Sequence, residues 1–434
     1  MTLRHIAVID VGKTNAKLAL VNAGTLNEIA VVTRPNTVRP GPPYPHFDLE
    51  GHWAFFRDGL AAFHRDHGID AISVTTHGAA AVLLDAGRNL AAPMLDYEHE
   101  LPDSGYDALR PPFAETGSPR LPCGLNLGAQ LHWLLRDPEV AARTAHVLTY
   151  PQYWAWRLTG VMATDVTSLG CHTDLWNPWE GRFSSLVDRL GLTGKLAPAR
   201  RSSDTLGLVR DGLGLPCVPV ACGIHDSNAS LLPHVLGRTG AFSVVSTGTW
   251  VVAMAVDGAK VDLDPTQDVL VNVNALGRPV PSARFMGGRE YEVVRNGGDP
   301  ATTSADSATV LRDGTVMLSP QEWTRQPATQ GQRMVALGHY LALMTKTCLD
   351  RIGARGPAIV EGPFARNRDY LSMLAAVHGE VEIATSATGT SIGAALLFAD
   401  RTTPPATRPV AVDNAPALRD HAARWHRRKD TACA

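Results

Sequence analysis

An excess of charge of either sign is missing from this chain: 40 Lys and Arg stand against 42 Asp and Glu, a net charge of −2. That balance gives no electrostatic argument for nucleic acid or for an anionic membrane surface. Cysteine is sparse too. The six residues Cys123, Cys171, Cys217, Cys222, Cys348 and Cys433 form no CxxC pair and no framework spacing, so they read as reduced thiols. No apolar run approaches the roughly 20 residues that a spanning helix needs. The first residues lead directly into a core strand instead of a charged and apolar leader, so a cytoplasmic location is expected. What remains is ordinary globular stock, 434 residues with 44% hydrophobic and 19% charged, enough for two domains of roughly 200 residues each.

The informative stretch is Gly223-Ile224-His225-Asp226-Ser227-Asn228-Ala229, with Ser246-Thr247-Gly248-Thr249-Trp250 shortly after it. Cys217 to Cys222 reads as a short strand ended by Gly223, and Asp226 to Ala229 has the composition of a helix start. Asp226 then sits at the mouth of a strand-to-helix turn. A lone aspartate there is most simply an N-cap. Asp226 is not alone, because Phe242 to Val245 is a strand running into the small, hydroxylated turn Ser246 to Thr249, which a phosphate can approach, and then into a second strand from Trp250 to Val256.

A matching unit lies at the start of the chain. Ile6 to Ile9 is a strand, Asp10-Val11-Gly12-Lys13-Thr14-Asn15 a turn, and Ala16 to Val21 a second strand. The two turn glycines are 248 − 12 = 236 positions apart, about half of the chain, which suggests two related lobes presenting their turns to one cleft. Gly12-Lys13-Thr14 imitates the end of a P-loop, but the glycine required five positions before the Gly-Lys pair is Ala7, and a strand follows where a P-loop opens a helix. The better reading is a hairpin whose turn amides, Thr14, Asn15 and Lys17 face a polyphosphate while Asp10 holds a hydrated cation.

Arg34 to Pro45 carries five of the 30 prolines and reads as loop. Asp48 caps a helix to about His67 that buries Trp53, Phe56, Leu60 and Phe63. Ala71 to Thr75 is a strand ending at Thr76-His77-Gly78. Ala80 to Leu84 and Leu90 to Leu95 flank a turn, and Asp96-Tyr97-Glu98 follows. Strand ends such as His77 and Glu98 are where α/β sheets place ligand contacts, and carboxylates suit sugar hydroxyls. Two helices follow, around Leu131 to Leu135 and from Tyr150, past Gln152, to Gly160; Thr164 to Leu169 reads as a polar loop. Later, Asn272 to Asn274 and Phe285 to Glu290 read as a loop-rich insertion and Gln330 to Ile352 as an amphipathic helix. Ala358 to Glu361 is a buried strand running into Gly362-Pro363-Phe364-Ala365-Arg366-Asn367, a start suited to a flat heterocycle. After a helix to His378 and a strand at Val381 to Ile383, Thr388 to Ala395 opens a small-residue helix. The tail beyond Pro404 reads as loosely ordered until a helix near Ala417 to Arg427.

Together, Asp10 to Lys17, Gly223 to Ala229, Ser246 to Trp250 and Gly389 to Ala395 resemble the phosphate, catalytic and adenosine motifs of the FGGY carbohydrate kinases, with Ser-Thr-Gly-Thr-Trp and the His-Asp pair closest to the rhamnulokinase and L-fuculokinase branch. The resemblance implies an α/β fold of two actin-like (ribonuclease H-like) domains, 1–236 and 237–434, flanking a nucleotide and sugar cleft that takes ATP and Mg²⁺. Asp226 matches the catalytic base. Asp10, with Asp226, matches the metal side, and Gly12, Lys13, Thr14, Asn15, Lys17, Thr247, Gly248, Thr249, Gly362, Pro363, Asn367, Gly389 and Thr390 match the ATP side. His77, Glu98, Gln152, His225 and Asp226 fall on the substrate side. Lys13 stands where many members have Thr, and Glu361-Gly362-Pro363 replaces a run of glycines.

The implied reaction is phosphorylation of a ketose at a terminal hydroxyl, with a pentulose or a polyol as alternative substrate. A nucleotide-driven regulatory protein without a sugar substrate is the reading from another class. The expected partner is a small-molecule sugar, with no nucleic acid and no membrane, and a homodimer is allowed for.

Overall fold

The computed structural model describes residues 3–102, 105–297, 301–385, 389–398 and 403–433, with side chains as far as Lys429. Thr388 and the side chain of Cys433 lie outside the described residues. The chain divides into two compact units. The first comprises Met1–Arg238, Leu270–Pro279 and Thr388–Pro404, and the second comprises Thr239–Val269, Val280–Ala387 and Pro405–Ala434.

In the first unit, β1 (His5–Val11), β2 (Asn15–Asn22) and β3 (Glu28–Pro35) run antiparallel in turn. The expectation of loop from Arg34 is therefore corrected: Arg34 and Pro35 end β3, paired with Ala16 and Asn15. The prolines that follow mark where the ladder stops, since they lack the N–H a strand needs. Helix α1 (Leu49–His67) starts where the Asp48 carboxylate accepts from the Gly51 N–H at 3.0 Å and buries Trp53, Phe56, Leu60 and Phe63. It delivers the chain to β4 (Ala71–Thr76), parallel to β1. Every residue of β4 is buried, which explains a run with no polar alternation.

Leu90 to Leu95 is no strand; Leu90 bridges to Leu84 and Leu95 to His46. Helix α2 (Tyr150–Thr159) ends at Gly160 with φ +80, a conformation glycine adopts without strain. Thr164 to Leu169, expected as a polar loop, is a two-residue strand and one helical turn, because the buried Asp165 carboxylate accepts from the Thr167 and Ser168 N–H groups. Then come β5 (Thr205–Leu208), β6 (Pro219–Ala221), β7 (Ile224–His225) and α3 (Asp226–Gly237). The sheet order is β5-β6-β4-β1-β2-β3, with β7 also on β4. The helix Thr390–Ala395 closes against this unit: Gly393 lies so near α3 that an added Cβ would stand 1.7 Å from the Ala229 carbonyl oxygen.

The second unit repeats the scheme. Strands β8 (Phe242–Thr247), β9 (Val251–Val256) and β10 (Pro279–Phe285) are antiparallel, and β11 (Ala358–Glu361) and β12 (Val381–Ala384) continue in parallel from β8. In both sheets the first strand of a hairpin also carries the parallel strands, so the turns at Gly12 and Gly248 hold equivalent places. This is the actin-like α/β architecture.

The supposed insertion is corrected. Val269–Val273 is a strand, Phe285 ends β10, and Gly287–Arg295 is a helix, α4. Helix α5 (Gln330–Arg351) buries Met334, Leu337, Leu341 and Cys348, and α6 (Arg368–His378) packs beside it. The tail is ordered sooner than expected: Thr407–Pro409 pairs with β12 as β13, and α7 (Ala415–Cys433) follows. Among the described residues no helix is long and apolar enough to cross a membrane.

Candidate active site

Two chain segments leave the first sheet together. Thr76 ends β4 and His225 ends β7, and the two are register partners in a parallel pair, so His77 and Asp226 emerge at one edge. The N-cap of α3 is His225, and Asp226 occupies the first helical position, where a helix N-terminus favours a carboxylate. Its Oδ1 takes the Ser227 N–H at 2.6 Å, the Ser227 hydroxyl at 3.3 Å and His225 Nε2 at 3.2 Å. With three contacts on Oδ1 and 30% of the side chain exposed, Oδ2 is the oxygen open to a ligand. Burial pushes the Asp226 carboxyl up from its ordinary value, against the pull of His77 and Ser227.

The histidines are neutral for a matching reason. Burial lowers His225 to about 4, so Nε2–H donates to Asp226 while Nδ1 faces the Asn228 amide at 3.5 Å. Burial also lowers His77. Its Nδ1 lies 2.9 Å from the Gly78 carbonyl, which puts the proton there and leaves Nε2 a buried acceptor with no partner among the described residues.

Asp10, near the end of β1, is 8% exposed and its Oδ2 accepts from the Thr390 and Ser391 hydroxyls, with Lys17 Nζ at 3.5 Å. Burial raises its pKa, the hydroxyls and Lys17 oppose that, and the Asp226 charge adds to it. The two carboxylates thus feel one another. A divalent cation held between oxygen donors reverses such a penalty, and Mg²⁺ characteristically takes one or two carboxylates with waters and phosphates completing the shell. The donor set fits it. Among the described residues no group of three or more His, Cys, Asp or Glu could hold a metal ion.

The β1–β2 turn exposes Thr14 and Asn15 and is braced from outside. The Asn36 amide donates to the Gly12 carbonyl at 2.8 Å, and His52 Nε2 meets Asn36 Oδ1 at 2.7 Å. In the second unit, the Thr247 hydroxyl donates to the Glu361 carbonyl and accepts from the Phe364 N–H at 3.1 Å, tying the β8–β9 turn to the end of β11. Beside it lies a cavity of about 760 Å³ lined by Gly248, Thr249, Arg289, Tyr291, Pro363 and Asn367 among others, a volume within the range of small-molecule sites.

Two glycines make this close packing possible. At Gly362, φ is +82 and a Cβ would stand 2.0 Å from the Thr247 carbonyl oxygen; at Gly288 it would stand 1.9 Å from that of Gly248. Residues 239–406 match the family model for the carbohydrate kinase FGGY C-terminal domain. Over its whole length the chain is also 36% identical to a carbohydrate kinase from Novosphingobium aromaticivorans, with TM-score 0.92 and 100% of both chains covered. The chain belongs to the FGGY carbohydrate kinase family.

Two further structures share the fold. A xylulose kinase from Rhodospirillum rubrum is 21% identical, with 99% of this chain and 98% of that chain covered and TM-score 0.79. A glycerol kinase from Plasmodium falciparum, solved with ADP, is 13% identical, with the same coverage and TM-score 0.77. The protein is thus an enzyme, a carbohydrate kinase.

Within the first unit of this kinase, Asp10, Lys17, His77, His225, Asp226 and Thr390 are gathered. In the second unit, Gly248, Thr249, Pro363 and Asn367 line the large cavity and Gly362 a smaller one beside it. Gln152 is fully buried and its amide donates to the Cys222 and Gly223 carbonyls at 3.0 and 3.2 Å, so it shapes the turn that carries Asp226. Lys13 does not point along the turn it belongs to; its ammonium is held by Asp96 and Glu98.

Sequence reasoning passed over Asn36 and His52, hidden in a proline-rich loop and on an apolar helix face. It also passed over Arg289, Tyr291 and Arg366, which line the cavity. Gly287-Gly288 was the available signal, since paired glycines at a helix start mark a close backbone approach.

Proposed function

We propose that the enzyme transfers the γ-phosphoryl group of ATP to a terminal hydroxyl of a ketose of the rhamnulose or fuculose type. Asp226 is the base, and the reaction takes place in the cytoplasm. The observation that carries this reading is Asp226 itself, anchored through Oδ1 by Ser227 and His225 with Oδ2 open, beside the unpartnered acceptor of His77. A sugar presents several hydroxyl donors, and these two acceptors are what such a ligand needs.

The hydroxyl oxygen attacks Pγ, the bond from Pγ to the β-bridging oxygen breaks, ADP leaves, and the hydroxyl proton passes to Asp226 Oδ2. Because the transition state is loose, the proton moves late and positioning contributes more than basicity. A carboxylate therefore suffices, and burial makes this one a somewhat stronger base than usual. His77 Nε2 orients a neighbouring hydroxyl. Asp10 would hold Mg²⁺, which supplies charge neutralisation at the phosphates, and the nearby Asp226 charge adds to the attraction. Thr390 and Ser391 keep the Asp10 carboxylate in place. The exposed turns at Gly12 and Gly248 and the cavity near Pro363 and Asn367 are assigned to the nucleotide.

A pentulose or a polyol is the second reading, favoured by the same arrangement because it selects hydroxyls before it selects stereochemistry. The test is ADP release over a panel of ketoses and polyols, including L-rhamnulose, L-fuculose, D-xylulose, D-ribulose and glycerol. Asp226→Ala is expected to lose about 10³-fold or more in kcat while still binding ATP. An active alanine variant would refute the assignment of the base.

A further inference from the structure

Lys13 belongs by sequence to the turn after β1, where an ammonium is suited to phosphate. In the structure it is fully engaged elsewhere. Nζ is bonded to Asp96 Oδ1 and lies 3.2 Å from Glu98 Oε2, 4.5 Å from the centre of the Tyr97 ring and 5.3 Å from that of Phe47. A lysine packed by two carboxylates and two aromatic faces has little left to offer an anion. The same two rings flank His77, each with its centre 5.3 Å from the imidazole. Asp226 and Lys13 both act electrostatically on His77. Lys13, Phe47, Tyr97, His77 and Asp226 therefore form one contiguous wall, which continues from the catalytic carboxylate to Asp96 and Glu98.

The charges of this wall are unequal. Asp96, Glu98 and Asp226 give three carboxylates and Lys13 one ammonium, a surplus of two negative charges if all are ionised. Such a surface accepts from neutral hydroxyls and repels a sugar acid.

We propose that Lys13 is a positioning residue of the sugar site: it fixes Asp96 and Glu98 as hydroxyl acceptors and makes the enzyme selective for neutral polyhydroxy substrates over aldonic acids. This deepens the kinase reading and rests on it. Because Lys13 sits next to Gly12, the same contact ties the glycine turn to the sugar wall, so the turn is held in register with the substrate side.

The test compares wild type with Lys13→Met and Lys13→Arg, using the best ketose of the panel above, ATP and gluconate. Lys13→Met is expected to raise the KM for the ketose about tenfold and to leave the KM for ATP within about twofold, with Lys13→Arg recovering most of the loss. Calorimetry of ketose binding without nucleotide is expected to show the same weakening. Gluconate is expected not to compete with the ketose in wild type. A rise confined to the KM for ATP would return Lys13 to the nucleotide and overturn the proposal. So would a variant with unchanged kinetics and only a lower melting temperature, or strong competition by gluconate. Absence of any sugar-dependent ADP release in the wild type would overturn the kinase assignment itself, and this proposal with it.

Discussion

His77 and Asp226 leave the first sheet side by side, because the residues just before them, Thr76 and His225, are partners in a parallel ladder. If His77 Nε2 is an acceptor for a substrate hydroxyl, His77→Ala raises the KM for the sugar by about tenfold and changes kcat less. Steady-state kinetics with ATP saturating read this split. An unchanged sugar KM would assign His77 to packing between Phe47, Tyr97 and Tyr150 alone.

If Asp226 is the base, the acid side of the activity profile follows from the direction of its shift. Burial raises this carboxyl above 3.8, so activity is expected to fall off at a higher pH than an ordinary aspartate would give. A protonated His77 would pull the value down, so its removal should not lower the limb. The profile of kcat/KM against pH for wild type and His77→Ala checks both signs. A limb that moves downward in the variant contradicts the coupling.

Gly362 is committed by its backbone. With φ +82 and the Thr247 carbonyl oxygen 2.0 Å from where a Cβ would stand, Gly362→Ala is expected to cost about 2 kcal/mol or more and to weaken nucleotide binding. Denaturant midpoints and ATP titration measure the two effects. A variant of wild-type stability would mean that the β11 end shifts freely.

Acid stability has a separate origin in the second unit. The rings of His339 on α5 and His421 on α7 lie 5.0 Å apart, and burial lowers His339 to about 4 and His421 well below its ordinary value. Both are depressed, so the stability they support is complete above about 6.5 and is lost as pH falls from there toward 4. For His339 alone the loss amounts to about 3 kcal/mol across that window. His339→Gln is expected to flatten the decline, followed by unfolding at several pH values. An unaltered slope would exclude this pair.

Much of the fold was legible because buried strands and an amphipathic helix leave strong periodic traces: β1, β2, β4, β8, β9 and α5 stand close to where apolar runs placed them. The errors share a cause. Exposed β3 has the burial of an edge strand and no alternation to read, and Thr164 to Leu169 looked like loop because the Thr167 hydroxyl is satisfied by Asp165 and the Thr164 hydroxyl by the Ala197 carbonyl, inside the protein. At the candidate site, residue types singled out Asp226 and His77, but the direction of a long side chain is decided by neighbours distant in sequence. Lys13 and Asp96 are 83 residues apart, and Gln152 and Cys222 are 70. Nothing local to Gly12 or to the Tyr150 helix foretells those contacts.

The hydroxyls that brace Asp10 come from Thr390 and Ser391, and Ser73 donates to the Ala394 carbonyl at 2.7 Å. During synthesis Asp10 therefore leaves the ribosome some 380 residues before the hydroxyls that hold it. A nascent chain stopped short of residue 390 carries an Asp10 without those partners, so the bracing of this carboxylate is a late, post-translational event for the first strand.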